Sequence, residues 1–150
     1  MIAAARAPLI LMAEDDSDDR LLAREALEES GLGGDLRFVE NGAELMDYLC
    51  HRNQFAAPGS APRPSLILLD LNMPRKDGRE ALKEIKANVD LCNIPVVVFT
   101  TSRADTDIAR IYQLGANSFI SKPTAFDALV KVMRTLGQYW FEVVILPVKT

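Results

Sequence analysis

The chain is 150 residues long, 49% hydrophobic and 25% charged, which suits one soluble domain with a full core. A formal net charge of -4 with scattered basic residues leaves no phosphate-neutralising face, so nucleic acid is not expected as a partner. Met1–Pro8 is too short and too Arg-interrupted for a signal peptide, and no apolar run approaches the roughly 20 residues of a membrane span, so a cytoplasmic protein with no membrane partner is expected.

After an N-terminal tail (1–8), Leu9-Ile-Leu-Met-Ala13 reads as a buried strand that runs into Glu14-Asp15. Asp16 or Ser17 caps the helix that follows, and acids in its first turn suit the positive end of the helix dipole. On that ground Asp16, Asp18 and Asp19 are solvated helix-start residues rather than ligands. Leu22, Ala23, Ala26 and Leu27 give the helix its apolar stripe, and Gly31, Gly33 and Gly34 end it. Leu36-Arg-Phe-Val39 is a second strand, Asn41-Gly42 a turn, and Leu45, Met46 and Leu49 mark a second helix. From 51 to 64 the periodicity stops, and Pro58, Gly59, Pro62 and Pro64 predict a long exposed loop. His51 and the two cysteines, Cys50 and Cys92, stand in no ligand or redox spacing; the thiols are expected to be free in a reducing compartment.

Ser65-Leu-Ile-Leu-Leu-Asp70 is the run on which the chain turns: four large apolar residues, then one acid, with Pro74 to stop it. Asp77-Gly-Arg-Glu80 resembles a capping box, and a third helix is expected to place Leu82, Ile85 and Val89 inward. Ile94-Pro-Val-Val-Val-Phe99 is a fourth strand ending in Thr100-Thr101-Ser102. Ile108, Ile111 and Tyr112 mark a fourth helix closed by Gly115. Asn117–Ser121 is a fifth strand ending at Lys122-Pro123. Thr124, three residues before Asp127, is expected to cap a fifth helix carrying Phe126, Leu129, Met133, Leu136 and Trp140.

Strands alternating five times with helical patterns predict βαβ units with right-handed crossovers. The expected fold is α/β: a three-layer, doubly wound (flavodoxin-like) parallel sheet in the order 2-1-3-4-5, with five helices. The domain spans 9–141, and 142–150 forms a C-terminal extension. In that topology the carboxyl ends of the strands bring Glu14, Asp15, Asp70, Thr100 and Lys122 to one crevice. Two carboxylates about 4 Å apart repel by roughly 4 kcal/mol at an effective dielectric near 20, so the acids call for a counter-charge. Mg²⁺, a hard oxygen-seeking ion, fits them. Lys122 supplies a point charge and Thr100 a hydrogen bond for a phosphoryl group, with Asp70 as the nucleophile.

These motifs resemble the receiver domain of two-component response regulators: Glu14-Asp15, Asp70-x-Asn72-Met-Pro74 with Asp77-Gly78, Thr100 and Lys122-Pro123. The resemblance implies that Asp70 accepts phosphate from a sensor histidine kinase. It also implies that Asp15, Asp70 and the Asn72 carbonyl bind Mg²⁺, with Glu14 in support. Thr100 and Lys122 would contact the phosphoryl group, and Phe119 falls at the aromatic switch position, to turn inward as Thr100 moves. The long loop before strand three, Thr100-Thr-Ser102 and Tyr139-Trp-Phe-Glu-Val-Val-Ile-Leu-Pro147 are similar to small regulators that partner phytochrome-type histidine kinases. Thr101 and Phe119 depart from the family's commoner Ala or Gly and Tyr.

With no residues after Thr150 for an output domain, the protein is expected to signal through its own surface rather than as an enzyme. The apolar end of the chain is expected to pair two copies, with Tyr139, Trp140, Phe141, Val143 and Ile145 on the dimer face. The rival reading is a haloacid-dehalogenase-like aspartyl-phosphate phosphatase, which requires a second Asp where Asn72 stands. A flavin or nucleotide carrier would need a phosphate loop where Glu14-Asp15-Asp16 stands.

Overall fold

The computed structural model describes residues 8–101 and 105–147. Five strands, β1 (Leu9–Ala13), β2 (Asp35–Val39), β3 (Leu66–Leu69), β4 (Val96–Thr100) and β5 (Ser118–Ser121), alternate with α1 (Ser17–Glu29), α2 (Gly42–Cys50), α3 (Gly78–Ala87), α4 (Asp105–Gln113) and α5 (Phe126–Gln138). All strand pairs are parallel, and the order is β2-β1-β3-β4-β5, as expected. A π-helical turn, Tyr139–Val143, continues α5.

The period of two along each strand builds two cores from one sheet. Leu11, Ala13, Ile67, Leu69, Val96 and Val98 face α2, α3 and α4, and pack on Leu45, Leu82, Ile85 and Ile111. Their chain neighbours Ile10, Met12, Leu66, Leu68, Val97 and Phe99 face the other way, onto Ala23, Ala26 and Leu27 of α1 and Leu129, Met133 and Leu136 of α5. Burial on both faces is why these strands read as unbroken apolar runs.

Local expectations fail where tertiary packing overrides a pattern. Leu22 is 41% exposed, because α1 buries its Ala23–Ala26–Leu27 face and leaves Leu22 on the rim. Val89 lies beyond α3 and is 84% exposed: Asn88 is extended and ends the helix, and Leu91 and Ile94 take the inward place. Thr124 does not cap α5; Ala125 stands at the N-cap without a side-chain bond. Asp16 and Asp77 do cap α1 and α3, each side chain accepting from amides two or three residues on. The 51–64 segment is mostly exposed, as expected, and is tethered near its far end. Tyr48 Oη donates to the Pro62 carbonyl at 2.8 Å, His51 Nε2 meets the Ala61 carbonyl at 2.9 Å, and Ala61 is buried. Cys50 and Cys92 are both free thiols.

Candidate functional site

The sheet delivers its functional side chains at one end. Glu14 follows β1 and is buried, with its amide bonded to the Val39 carbonyl at 2.9 Å. Asp70 follows β3, its amide held by the Ala13 carbonyl at 3.2 Å, and it too is buried. Thr100 closes β4 and is fully buried; the Lys122 amide donates to its carbonyl at 2.8 Å. β1 and β3 are neighbours across the point where the strand order reverses, so two strand-end acids face each other there.

Asp70 is fixed from both sides. The Thr100 hydroxyl donates to its Oδ1 at 2.8 Å, and the Asn72 amide donates to the same oxygen at 3.3 Å. Oδ2 lies 3.5 Å from the Lys122 ammonium. Lys122 also pairs closely with Glu14 and stands 3.5 Å from Asp19 Oδ2. The turn after β3 closes on Gly78, whose amide donates to the Leu71 carbonyl at 3.0 Å.

Burial pushes the Glu14 carboxyl up to about 7, against the pull of the Lys122 hydrogen bond and charge and of the Asp16 amide. Burial alone would lower Lys122; the Glu14 hydrogen bond and the charges of Asp70, Glu14 and Asp19 outweigh it and hold the ammonium above its usual value. A crowd of acids around one lysine is still short of positive charge. Glu14, Asp15 and Asp70 each offer a carboxylate oxygen, all within 4.8 Å of one another, with Asp15 open to solvent. Three hard oxygen donors, one of them accessible, suit a divalent cation that keeps part of its water.

Glu14, Asp15, Asp70, Asn72, Thr100 and Lys122 therefore meet at one site. Phe119 lies on β5, half-buried against the α2–α3–α4 core, with its amide donating to Tyr112 Oη at 3.1 Å. Thr101 is exposed, and Ser102 lies outside the described residues. The residues expected on a dimer face are remote from the acids. Tyr139 and Trp140 meet edge to face at 5.2 Å, Trp140 and Phe141 lean on the α1–α5 core, and Val143 and Ile145 are 70% and 99% exposed. A groove of about 620 Å³ runs beside them, lined by Ile120, Val132, Leu136, Tyr139 and Trp140.

Asp19 is the site residue that sequence reasoning put in solvent. With Asp16 as N-cap it is the third residue of α1, and helical side chains lean toward the N-terminus, which here is the crevice. The cap could have revealed it.

Comparison with known proteins agrees with this geometry. The family model described as the response regulator receiver domain matches residues 10–134. The response regulator Rcp1 of Synechocystis is 40% identical over 139 residues, covering 93% of this chain and 92% of that protein. Among solved structures, the phosphorylated cyanobacterial phytochrome response regulator RcpA superposes with a TM-score of 0.87 at 39% identity, over 95% of this chain and 99% of that one. The Mn²⁺-bound form of Rcp1 does so with 0.84 at 40% identity, over 94% and 99%. RPA3017, in red light signalling of R. palustris, gives 0.89 at 35% identity over the same shares.

Proposed function

The chain belongs to the response regulator receiver family, and from that premise we propose that Asp70 accepts a phosphoryl group from the phosphohistidine of a sensor histidine kinase, with Mg²⁺ as cofactor. The observation that carries this reading is the convergence on Asp70 of the Thr100 hydroxyl, the Lys122 ammonium and two further carboxylates. An Asp70 oxygen attacks phosphorus; the new O–P bond forms as the P–N bond to the donor imidazole breaks, and the electron pair leaves with the imidazole. Thr100 and Lys122 are placed to follow the charge as it spreads over the phosphoryl oxygens. Glu14, Asp15, Asp70 and the Asn72 carbonyl would hold the cation, which when bound offsets the negative charge of donor and acceptor. That Rcp1 has a Mn²⁺-bound form supports a divalent cation as the cofactor.

A dehalogenase-type phosphatase has no support: Asn72 stands two residues after Asp70, and its amide cannot serve as acid or base. The protein acts as a signalling regulator in the cytoplasm that turns over no other substrate, with no nucleic-acid or membrane partner. Among the described residues no helix is long and apolar enough to cross a membrane. Its kinase is of the phytochrome type, a reading supported by the likeness to RcpA and Rcp1. Phosphorylation adds about -1.5 to -2 charges at Asp70, and Thr100 with Phe119 on the neighbouring strand is the switch that answers it.

Intact mass after incubation with acetyl phosphate tests the chemistry. One phosphoryl adduct is expected with Mg²⁺ and none in excess chelator; an adduct indifferent to Mg²⁺, or none from acetyl phosphate or a phosphorylated kinase, would sink it.

The exposed apolar end supports a homodimer through α5 and the C-terminal arm (142–150), since a patch of this kind is unusual on a free surface. Light scattering at micromolar concentration should give a dimer, and Val143→Asp with Ile145→Asp a monomer. A monomeric wild type, with and without phosphate, would rule the dimer out.

A further inference from the structure

Lys122 has three carboxylate neighbours: Glu14, Asp70 and Asp19. Two of them belong to the trio Glu14, Asp15 and Asp70, whose oxygens cluster within 4.8 Å. Asp19 does not. A divalent cation on the trio takes up the charge of Glu14 and Asp70 and repels the ammonium beside them. The carboxylate then left to Lys122 is Asp19.

Building on the receiver reading, we propose that Asp19 is a positioning residue: it seats the Lys122 ammonium while the cation is bound and Asp70 is unmodified. Lys122 leaves it for a phosphoryl oxygen when Asp70 is phosphorylated. The seat is built into the fold. Asp16 Oδ1 accepts from the Asp18 and Asp19 amides at 2.8 and 3.1 Å, which fixes the first turn of α1. Asp19 and Lys122 together line a small cavity of about 90 Å³ between α1 and the start of α5. The Asp19 side chain is 44% exposed and that of Lys122 11%, so the lysine has one partly wet partner and two dry ones. A partly wet ion pair is weak, as a residue that must let go at each phosphorylation requires. Asp18 sits in the same turn and, among the described residues, makes no ion pair with Lys122.

The test is calorimetric titration with beryllofluoride, a phosphoryl mimic, in saturating Mg²⁺. Asp19→Asn should bind it about two- to fivefold tighter than Asp18→Asn, the range of a partly exposed ion pair. Both variants remove one charge from one turn, so a plain field effect cancels between them. In a Lys122→Met background the gap should close. Equal affinities for the two variants, or a gap that persists without Lys122, would overturn the assignment. In the Mg²⁺-loaded wild type the Asp19 carboxyl ¹³C resonance should move on adding beryllofluoride and on Lys122→Met; a resonance that stays put in both would also overturn it. A wild type that binds no beryllofluoride and takes no phosphoryl group defeats the receiver chemistry itself. A wild type that does both, with Asp19→Asn matching Asp18→Asn, defeats the Asp19 seat alone.

Discussion

Asp70→Asn should take no phosphoryl group under conditions where the wild type takes one, because an amide is not a nucleophile toward phosphorus at neutral pH. The substitution keeps the shape of the site: Oδ1 of an asparagine still accepts from the Thr100 hydroxyl and the Asn72 amide. What it removes is one charge from three crowded carboxylates. Two consequences follow, with opposite signs. The metal-free variant should be more stable than the wild type by about 1 kcal/mol, a fraction of the bare repulsion because Lys122 already offsets part of it. The thermal stabilisation that Mg²⁺ confers on the wild type should be mostly lost. Intact mass and melting curves with and without Mg²⁺ read all three effects. An adduct on the Asn variant would move the acceptor to another side chain, and an unchanged response to Mg²⁺ would take Asp70 out of the cation site.

Gly78→Ala should cost about 3 kcal/mol or more of folding stability. A Cβ built on Gly78 falls 2.3 Å from the Asp70 carbonyl oxygen and 2.9 Å from the Leu71 Cα. Both are backbone atoms, and the Asp70 carbonyl is continuous with the phosphoacceptor, so the clash cannot be relieved by turning a side chain. The strain should reach the site: the folded fraction should also take phosphoryl more slowly. Gly33→Ala, where a new Cβ meets nothing within 4 Å, is the control and should change stability by less than about 0.5 kcal/mol. Urea melts of the two variants give the comparison, and equal midpoints would show that the turn after β3 has slack.

Much of this was legible in the sequence, for physical reasons. β1 is legible to the residue, since a strand buried on both faces announces itself as an apolar run with sharp ends. The site is legible because three of its members, Glu14, Asp70 and Thr100, stand immediately after or at the end of such runs, and Lys122 follows the more polar β5, where the topology brings all four together. The failures share a cause: packing between elements leaves little mark on the local pattern. Val89 keeps a helical spacing from Leu82 and Ile85, yet Asn88 breaks the helix one residue earlier. Thr124 has the right chemistry for a cap but stands one position too early. The 51–64 segment is the exposed loop its composition announces, but nothing in that composition says that Tyr48 and the segment's own first residue, His51, will bond to Pro62 and Ala61. Asp19 was hidden by its neighbours, since one acid in a first turn rich in acids looks like every other.

The strand order also governs how the chain acquires its structure. β1 is made first, yet it ends between β2 and β3, and Ile10 pairs with Leu66. At roughly 5–20 residues per second on the ribosome, the 56 residues from Leu11 to Leu66 take about 3–11 s to synthesise. Once β2 has been made and until β3 follows, β1, apolar at every position, has β2 on one side and an open edge on the other. Such long-range parallel pairing folds slowly, so the nascent chain passes through a stage that favours association with other chains. The arrangement that sets Glu14 and Asp15 beside Asp70 thus delays completion of the sheet's centre until β3 has emerged.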